Sequence, residues 1–250
     1  MKKYGLIGYP LGHSFSRTFF NAKFADEHID AEYMNFEIPS IAEFPEVISE
    51  NGNLCGLNVT IPYKEQVIPY LDELSEEARH IGAVNVVRIC RNQGCTRLKG
   101  YNSDVIGFMR SIQPLLEGHH RKALILGTGG ASKAVRYGLE KLGLEVKFVS
   151  RTTRKGMLTY ADVTADVVRE YEVIVNCTPC GMYPHIDEQP LLPYEALNER
   201  NLLYDLIYNP ETTSFLRKGA AAGAVVKNGL EMLLLQAQAG WEFWNETEKA

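Results

Sequence analysis

Short runs rich in Val, Ile and Tyr alternate with segments of helical period along this chain, and that alternation predicts an α/β fold with a mostly parallel sheet. Two further observations divide it. At 250 residues the chain can bury two modest cores, and the charged, glycine-containing stretch EGHHRK after residue 116 reads as a junction between two strand–helix series. In the second series, the apolar run KALILG passes directly into a glycine-rich turn and then a helix.

Taken in order, strands are expected near residues 3–8, 32–38, 55–61, 84–90 and 96–100, with helices near 14–28, 41–50, 64–71 and 75–81. LGHSFSRTFF opens the first helix. Phe15, Phe19, Phe20 and Phe24 supply its apolar face, and Ser14 or Ser16 stands where an N-cap is favoured. In NVTIPYK, side chains two apart share a face, so Asn58 and Thr60 project together, Val59 and Ile61 point to the core, and Pro62 ends the ladder. A polar strand end of this kind is where open α/β sheets bind ligands, and it puts Lys64 beside a site; the plainer reading is a solvated lysine at a strand exit. DVIGFMRSIQPLLE reads as a helix over 104–117. Beyond it come the strand KALILG, a helix over about 130–142, the strands EVKFVS, EVIVNCT, LLYDLIY and GAVVKN, and a long amphipathic helix after Gly229. With no linker composition between them, the two halves are expected to pack with a cleft.

Composition narrows the partner. A net charge of -5 provides no basic field for a nucleic acid backbone or an anionic membrane, so a small molecule is expected. The opening MKKYGLIGYPLGHS has too short an apolar run for a signal peptide, and no run reaches the length of a membrane span, which points to the cytoplasm. The N-x-S/T triplets at Asn58, Asn176 and Asn245 then carry no glycosylation meaning, and five cysteines read as reduced thiols. Cys177 and Cys180 have C-x-x-C spacing, but no second such pair completes a zinc site; no metal is expected, and a redox role is the weaker reading.

The turn after KALILG carries Gly127, Thr128, Gly129, Gly130, Ala131 and Ser132. Backbone N–H groups there can approach a pyrophosphate, helped by the partial positive charge of the helix start. Ser132 takes the third glycine position of the dinucleotide fingerprint, and it also excludes a P-loop, which needs glycine before Lys133. The next strand ends in Ser150, Arg151, Thr152, Thr153 and Arg154 with no carboxylate. Two guanidinium groups and three hydroxyls suit a 2′-phosphate, which selects NADP over NAD on a Rossmann-like domain.

In the first half, Asn85 in GAVNV and Asp104 in KGYNSD complete a set of polar residues, although Asp104 also has an ordinary reading as a helix cap. Ser14, Ser16, Asn58, Thr60, Lys64, Asn85 and Asp104, in these local sequences, resemble the shikimate dehydrogenase family. The match runs on through GTGGASKA, SRTTRK, NCTPCGM, DLIYNPETTSFL and NGLEMLLLQA. The resemblance implies an NADP-dependent oxidoreductase acting on a CH-OH group, which reversibly reduces 3-dehydroshikimate to shikimate toward chorismate and the aromatic amino acids. It implies a substrate-binding and catalytic domain over 1–103, a Rossmann-like NADP-binding domain over 104–228, and a C-terminal helix over 229–250 returning to the first domain. Lys64 and Asp104 would be the catalytic pair. Ser14 and Ser16 would hold the substrate carboxylate, and Asn58, Thr60, Lys64, Asn85, Asp104 and Gln236 would surround the ring hydroxyls, with Tyr208 nearby. Asn176, Thr178, Gly181 and Met182 match the nicotinamide-side loop, and Gly229 and Met232 open the last helix on the cofactor side. A homodimer is compatible with this.

The sequence departs from the family pattern at Tyr9 and Phe15 around the serines, at Val86 and at Ser103, where asparagine, lysine and two threonines are usual. Those neighbours bear on substrate preference. A quinate/shikimate dehydrogenase of broader specificity is the closest rival, and a non-catalytic ligand sensor on the same fold is the rival from another class. A methylene-tetrahydrofolate dehydrogenase shares the two-domain plan but not the paired serines or NVTIPYK.

Overall fold

The computed structural model describes residues 1–12, 15–92 and 94–246, and the chain forms two compact units, Met1–Ser103 with Ala237–Ala250 and Asp104–Gln236. In chain order the elements of the first half are β1 (Lys2–Gly8), α1 (Phe15–Asp26), β2 (Ala31–Glu37), α2 (Phe44–Glu50), β3 (Leu54–Val59), β4 (Glu73–Leu74), α3 (Glu76–Ile81), β5 (Val86–Asn92) and β6 (Cys95–Tyr101). The rest are α4 (Ser103–Ile112), β7 (Lys122–Leu126), α5 (Gly130–Lys141), β8 (Glu145–Ser150), β9 (Leu158–Thr159), α6 (Ala165–Glu170), β10 (Val173–Asn176), β11 (Leu202–Asp205), α7 (Ser214–Ala221), β12 (Val225–Lys227) and α8 (Leu230–Trp244).

The first unit is built on a six-stranded sheet in the order β2-β1-β3-β5-β6-β4. β1, β2 and β3 run parallel, whereas β5 is antiparallel to both β3 and β6, so this sheet is more mixed than the alternation suggests. Successive side chains on β3 go to opposite faces. Leu57 and Val59 join one core with Ile7, Phe44, Val84 and Val87. The other face holds an aromatic core in which Tyr4, Phe20, Phe24 and Tyr33 pack with Trp244 of α8. Gly56 makes room for that helix: a Cβ there would lie 2.3 Å from the Trp244 ring. The Trp244 indole N–H donates to the Val87 carbonyl at 3.1 Å, so its one polar atom is satisfied inside the core.

Two expectations fail in this unit. Ile61 is 74% exposed instead of facing the core, because β3 ends at Val59 and the chain leaves the sheet in a turn. The helix expected over 64–71 is a run of turns closing in a single 3-10 turn at Ile68–Tyr70. Pro62 precedes the stretch and Pro69 lies within it, where it lacks the N–H a continuous helix needs.

The second unit has an all-parallel sheet in the order β12-β11-β10-β7-β8-β9. The chain builds outward from β7 through β8 and β9, then crosses back to β10, so the order reverses between β7 and β10. Open α/β sheets bind ligands at that reversal, at the carboxyl ends of the strands. Both faces are covered, by one core that includes Phe108, Ile125, Leu139 and Val175 and another that includes Leu124, Ile174, Leu203 and Phe215. The long helix expected to 117 stops at Ile112, followed by a 3-10 turn containing Pro114. Among the described residues, no helix is long and apolar enough to cross a membrane.

Candidate functional site

Topology gathers the polar residues of the first unit. Because β5 opposes β3 and β6, the carboxyl ends of β3 and β6 and the amino end of β5 share one end of the sheet, with Asn58 beside Val86 and Val86 beside Tyr101. Asn58, Thr60, Asn85, Asn102 and Ser103 therefore meet there although 45 positions separate the outermost two. The Asn85 carbonyl accepts from Val59 N–H at 2.9 Å and from Asn58 Nδ2 at 3.4 Å. Its side chain clasps the next segment, with Oδ1 accepting from Ser103 N–H at 2.6 Å and Nδ2 donating to Ser103 Oγ at 2.9 Å. Asn102 Nδ2 donates to the Ala83 carbonyl at 3.0 Å.

Thr60 is tied to β1 through its N–H, which donates to the Ile7 carbonyl at 2.9 Å. Gly8 gives it space: a Cβ on Gly8 would fall 2.4 Å from the Thr60 methyl. The turn then brings half-buried Lys64 back, its carbonyl accepting from Val84 N–H at 2.7 Å, one residue before Asn85 is reached. Ser16 occupies the first turn of α1. The Tyr33 phenol donates to Asn58 Oδ1 at 2.7 Å. Ser14 lies outside the described residues.

The remaining expected substrate residues belong to the second unit. Asp104 is buried in the first turn of α4, one residue inside the helix and so not at the cap position expected for its plainer reading; the helix start favours its negative charge. Half-buried Gln236 donates from Nε2 to the Leu233 carbonyl at 3.0 Å, and Gly107 of α4 lets its helix approach, since a Cβ there would lie 2.9 Å from Gln236 N. Tyr208 is exposed, whereas Met232 is buried in the core beside Phe108 and Ile112.

At the reversal between β7 and β10 the second unit has a cavity of about 930 Å³. Gly127, Thr128 and Gly129 form one side, Ser150, Arg151, Thr152 and Arg154 a second, and Thr178 a third. Gly127 has φ +98°, a conformation L side chains resist, and a Cβ on it would reach 2.9 Å from the Thr178 methyl. Gly129 caps α5 with no side chain, the first turn holds no acidic residue, and Cβ atoms added to Gly129 or Gly130 would meet nothing within 4 Å. That is an open, uncapped helix start of the kind that binds phosphate. Ala131 is half-buried, and buried Ser132 turns its hydroxyl back to the Gly129 carbonyl at 2.6 Å, bracing the turn. Ser150 accepts Thr152 N–H at 3.2 Å, which folds the loop that presents Arg151 and Arg154. A dinucleotide carrying a 2′-phosphate fits this donor set of uncapped N–H groups and two guanidinium groups.

Asn176, Gly130, Ala131, Ser132, Gly229 and Met232 are not on the cavity wall. Asn176 acts behind it, its Oδ1 accepting from Thr178 N–H at 3.0 Å and from Thr178 Oγ at 2.6 Å. Gly229 is set by close packing, since a Cβ would lie 2.1 Å from the Leu206 carbonyl oxygen. Sequence reading missed Tyr160 and the stretch Glu188–Leu191, which also line the cavity. It missed Asp205 as well, whose Oδ1 accepts from Asn176 Nδ2 at 3.0 Å and from Ile207 N–H at 3.1 Å, and whose Oδ2 accepts from Thr213 Oγ at 2.6 Å. Burial pushes its carboxyl up to about 6 against the pull of those donors. Burial and the Asp205 carboxylate together push the Cys177 thiol well above the usual range, which disfavours its thiolate. All five cysteines are free.

Three comparisons bear on these two sites. The profile of the shikimate dehydrogenase substrate binding domain matches residues 6–87. Shikimate dehydrogenase (NADP(+)) of Halothermothrix orenii is 39% identical, covering 96% of this chain and 89% of its own, and that of Caldicellulosiruptor saccharolyticus is 36% identical, covering 98% and 92%. Among solved structures, shikimate 5-dehydrogenase from Thermus thermophilus in complex with NADP(H) and shikimate superposes with a TM-score of 0.84 at 31% identity, covering 98% of this chain and 94% of its own.

Proposed function

Because the chain belongs to the shikimate dehydrogenase family, we propose that the polar strand ends of the first unit bind shikimate and that the cavity of the second binds NADP, with Lys64 and Asp104 as the catalytic pair. The reaction is the reversible, NADP-dependent reduction of 3-dehydroshikimate to shikimate. What supports the assignment of residues most strongly is the meeting of Asn58, Thr60, Asn85 and the Lys64 turn at one end of a sheet whose topology alone brings them together.

The nicotinamide group, when bound, supplies or accepts the hydride. Every other requirement falls to side chains. Reduction of a ketone builds negative charge on its oxygen, and the Lys64 ammonium group is the donor assigned to stabilise it and to deliver the proton. Asp104 orients that donor and binds a ring hydroxyl. Asn58, Thr60 and Asn85 offer amide and hydroxyl groups to the remaining ring hydroxyls, with Gln236 and Tyr208 assigned to the same ligand. Ser14 and Ser16 take the carboxylate. Gly127 to Ser132 hold the pyrophosphate through the α5 start, Ser150, Arg151, Thr152 and Arg154 hold the 2′-phosphate, and Asn176 fixes Thr178 on the nicotinamide side, with Gly229 and Met232 supporting that wall. Free thiols together with a small-molecule reaction support a cytoplasmic enzyme.

Absorbance at 340 nm, with shikimate or quinate crossed against NADP+ or NAD+, tests this. Turnover is expected with shikimate and NADP+ and at least tenfold, roughly 1.4 kcal/mol, less efficient in the other three combinations. Equal rates with quinate or NAD+ would place the chain in the broader branch, and NADP+ binding without any turnover would indicate a sensor.

A further inference from the structure

Asn58, assigned to the ring hydroxyls of the substrate, is held by a residue that no local sequence signal marks. Tyr33 is on β2, with no exposed surface, and its phenol bonds the Asn58 side chain. A phenol has one proton. Here it goes to Asn58 Oδ1 at 2.7 Å. Asn58 is thereby held with its oxygen toward Tyr33 and its NH2 toward the Asn85 carbonyl, in the sense that presents donors at the polar strand ends.

The ring is held as firmly as its hydroxyl. It stacks on Phe20 with centroids 4.9 Å apart and planes 13° from parallel, and Trp244 lies 6.3 Å away. Its backbone is clasped by Asn21, which accepts Tyr33 N–H at 2.9 Å and donates to the Tyr33 carbonyl at 3.0 Å. Burial raises the phenol's pKa well above its ordinary value, so the donor stays in place at any working pH.

We propose that Tyr33 is a positioning residue for substrate recognition, one that fixes the orientation of the Asn58 amide before shikimate binds. The inference rests on the assignment of Asn58 to the substrate. Tyr33→Phe removes the hydroxyl alone and leaves Asn58 Oδ1 without this partner, which is expected to raise KM for shikimate about tenfold. The KM for NADP+ should stay within about twofold in a variant that remains folded at the assay temperature, a split that general loss of structure would not produce. In the double variant Tyr33→Phe/Asn58→Ala, the combined effect should be smaller than the sum of the separate ones, because Tyr33 acts through Asn58. An unchanged KM for shikimate in folded Tyr33→Phe would overturn the inference, and so would a parallel loss of NADP+ affinity. Inactivity of the unmodified protein toward shikimate would instead sink the functional assignment, and the inference with it.

Discussion

Asp205 ends β11 with no exposed surface, and both of its oxygens are engaged, by Asn176, Ile207 and Thr213. Its carboxyl, raised from 3.8 to about 6, binds a proton in the folded state more tightly than in the unfolded chain. The stability linked to that proton is fully present below the unfolded value and is lost as pH rises through about 6, a loss of about 3 kcal/mol between those limits. Asp205→Asn has no such dependence. The difference in unfolding free energy between variant and unmodified protein should therefore move in favour of the variant as pH goes from 4 to 7; a flat difference would show that the carboxyl titrates normally. Asp205 and Tyr33 were both invisible in the sequence because the side chains they bond are distant in the chain, 8 positions for Thr213 and 29 for Asn176 from Asp205, and 25 for Tyr33 to Asn58. Asn58 was legible from strand alternation, whereas Thr60 lies one residue past the end of β3, where the alternation no longer holds.

Elements with a strong local signature were read well. The β7–turn–α5 unit was found from an apolar strand followed by glycines, and its geometry explains the glycines: positive φ at Gly127 and open space beside Gly129 and Gly130. Gly127→Ala combines a disfavoured backbone with a methyl 2.9 Å from that of Thr178. It should weaken NADP+ binding about tenfold by calorimetry while leaving shikimate affinity within about twofold; unchanged NADP+ affinity would detach this turn from the cofactor. Segments 41–50 and 64–71 were read less well. The first divides into a 3-10 turn and α2 at Pro45, and the second never becomes a helix, because its proline positions outweigh its apolar spacing. The short β4 and β9, two residues each, pair only at sheet edges and have no periodicity to read.

At the scale of the whole molecule, the alternation of strands and helices was enough to give an α/β chain, and the glycine turn with its arginine loop was enough to give the cofactor class. The antiparallel β5 was not legible, since strand direction follows from connections that the pattern does not encode, yet that reversal is what brings Asn85 beside Asn58. Lys64, held on a turn fastened to Val84, is the group proposed to handle charge on the reacting oxygen. The measurement that tests this most directly is NADPH formation from shikimate at 340 nm by the unmodified protein and Lys64→Ala, with NADP+ affinity and thermal unfolding recorded on the same preparations. A kcat lower by about a hundredfold or more is expected in a variant that folds and binds NADP+ normally. A folded Lys64→Ala protein that turns over shikimate at nearly the unmodified rate would remove Lys64 from the chemistry.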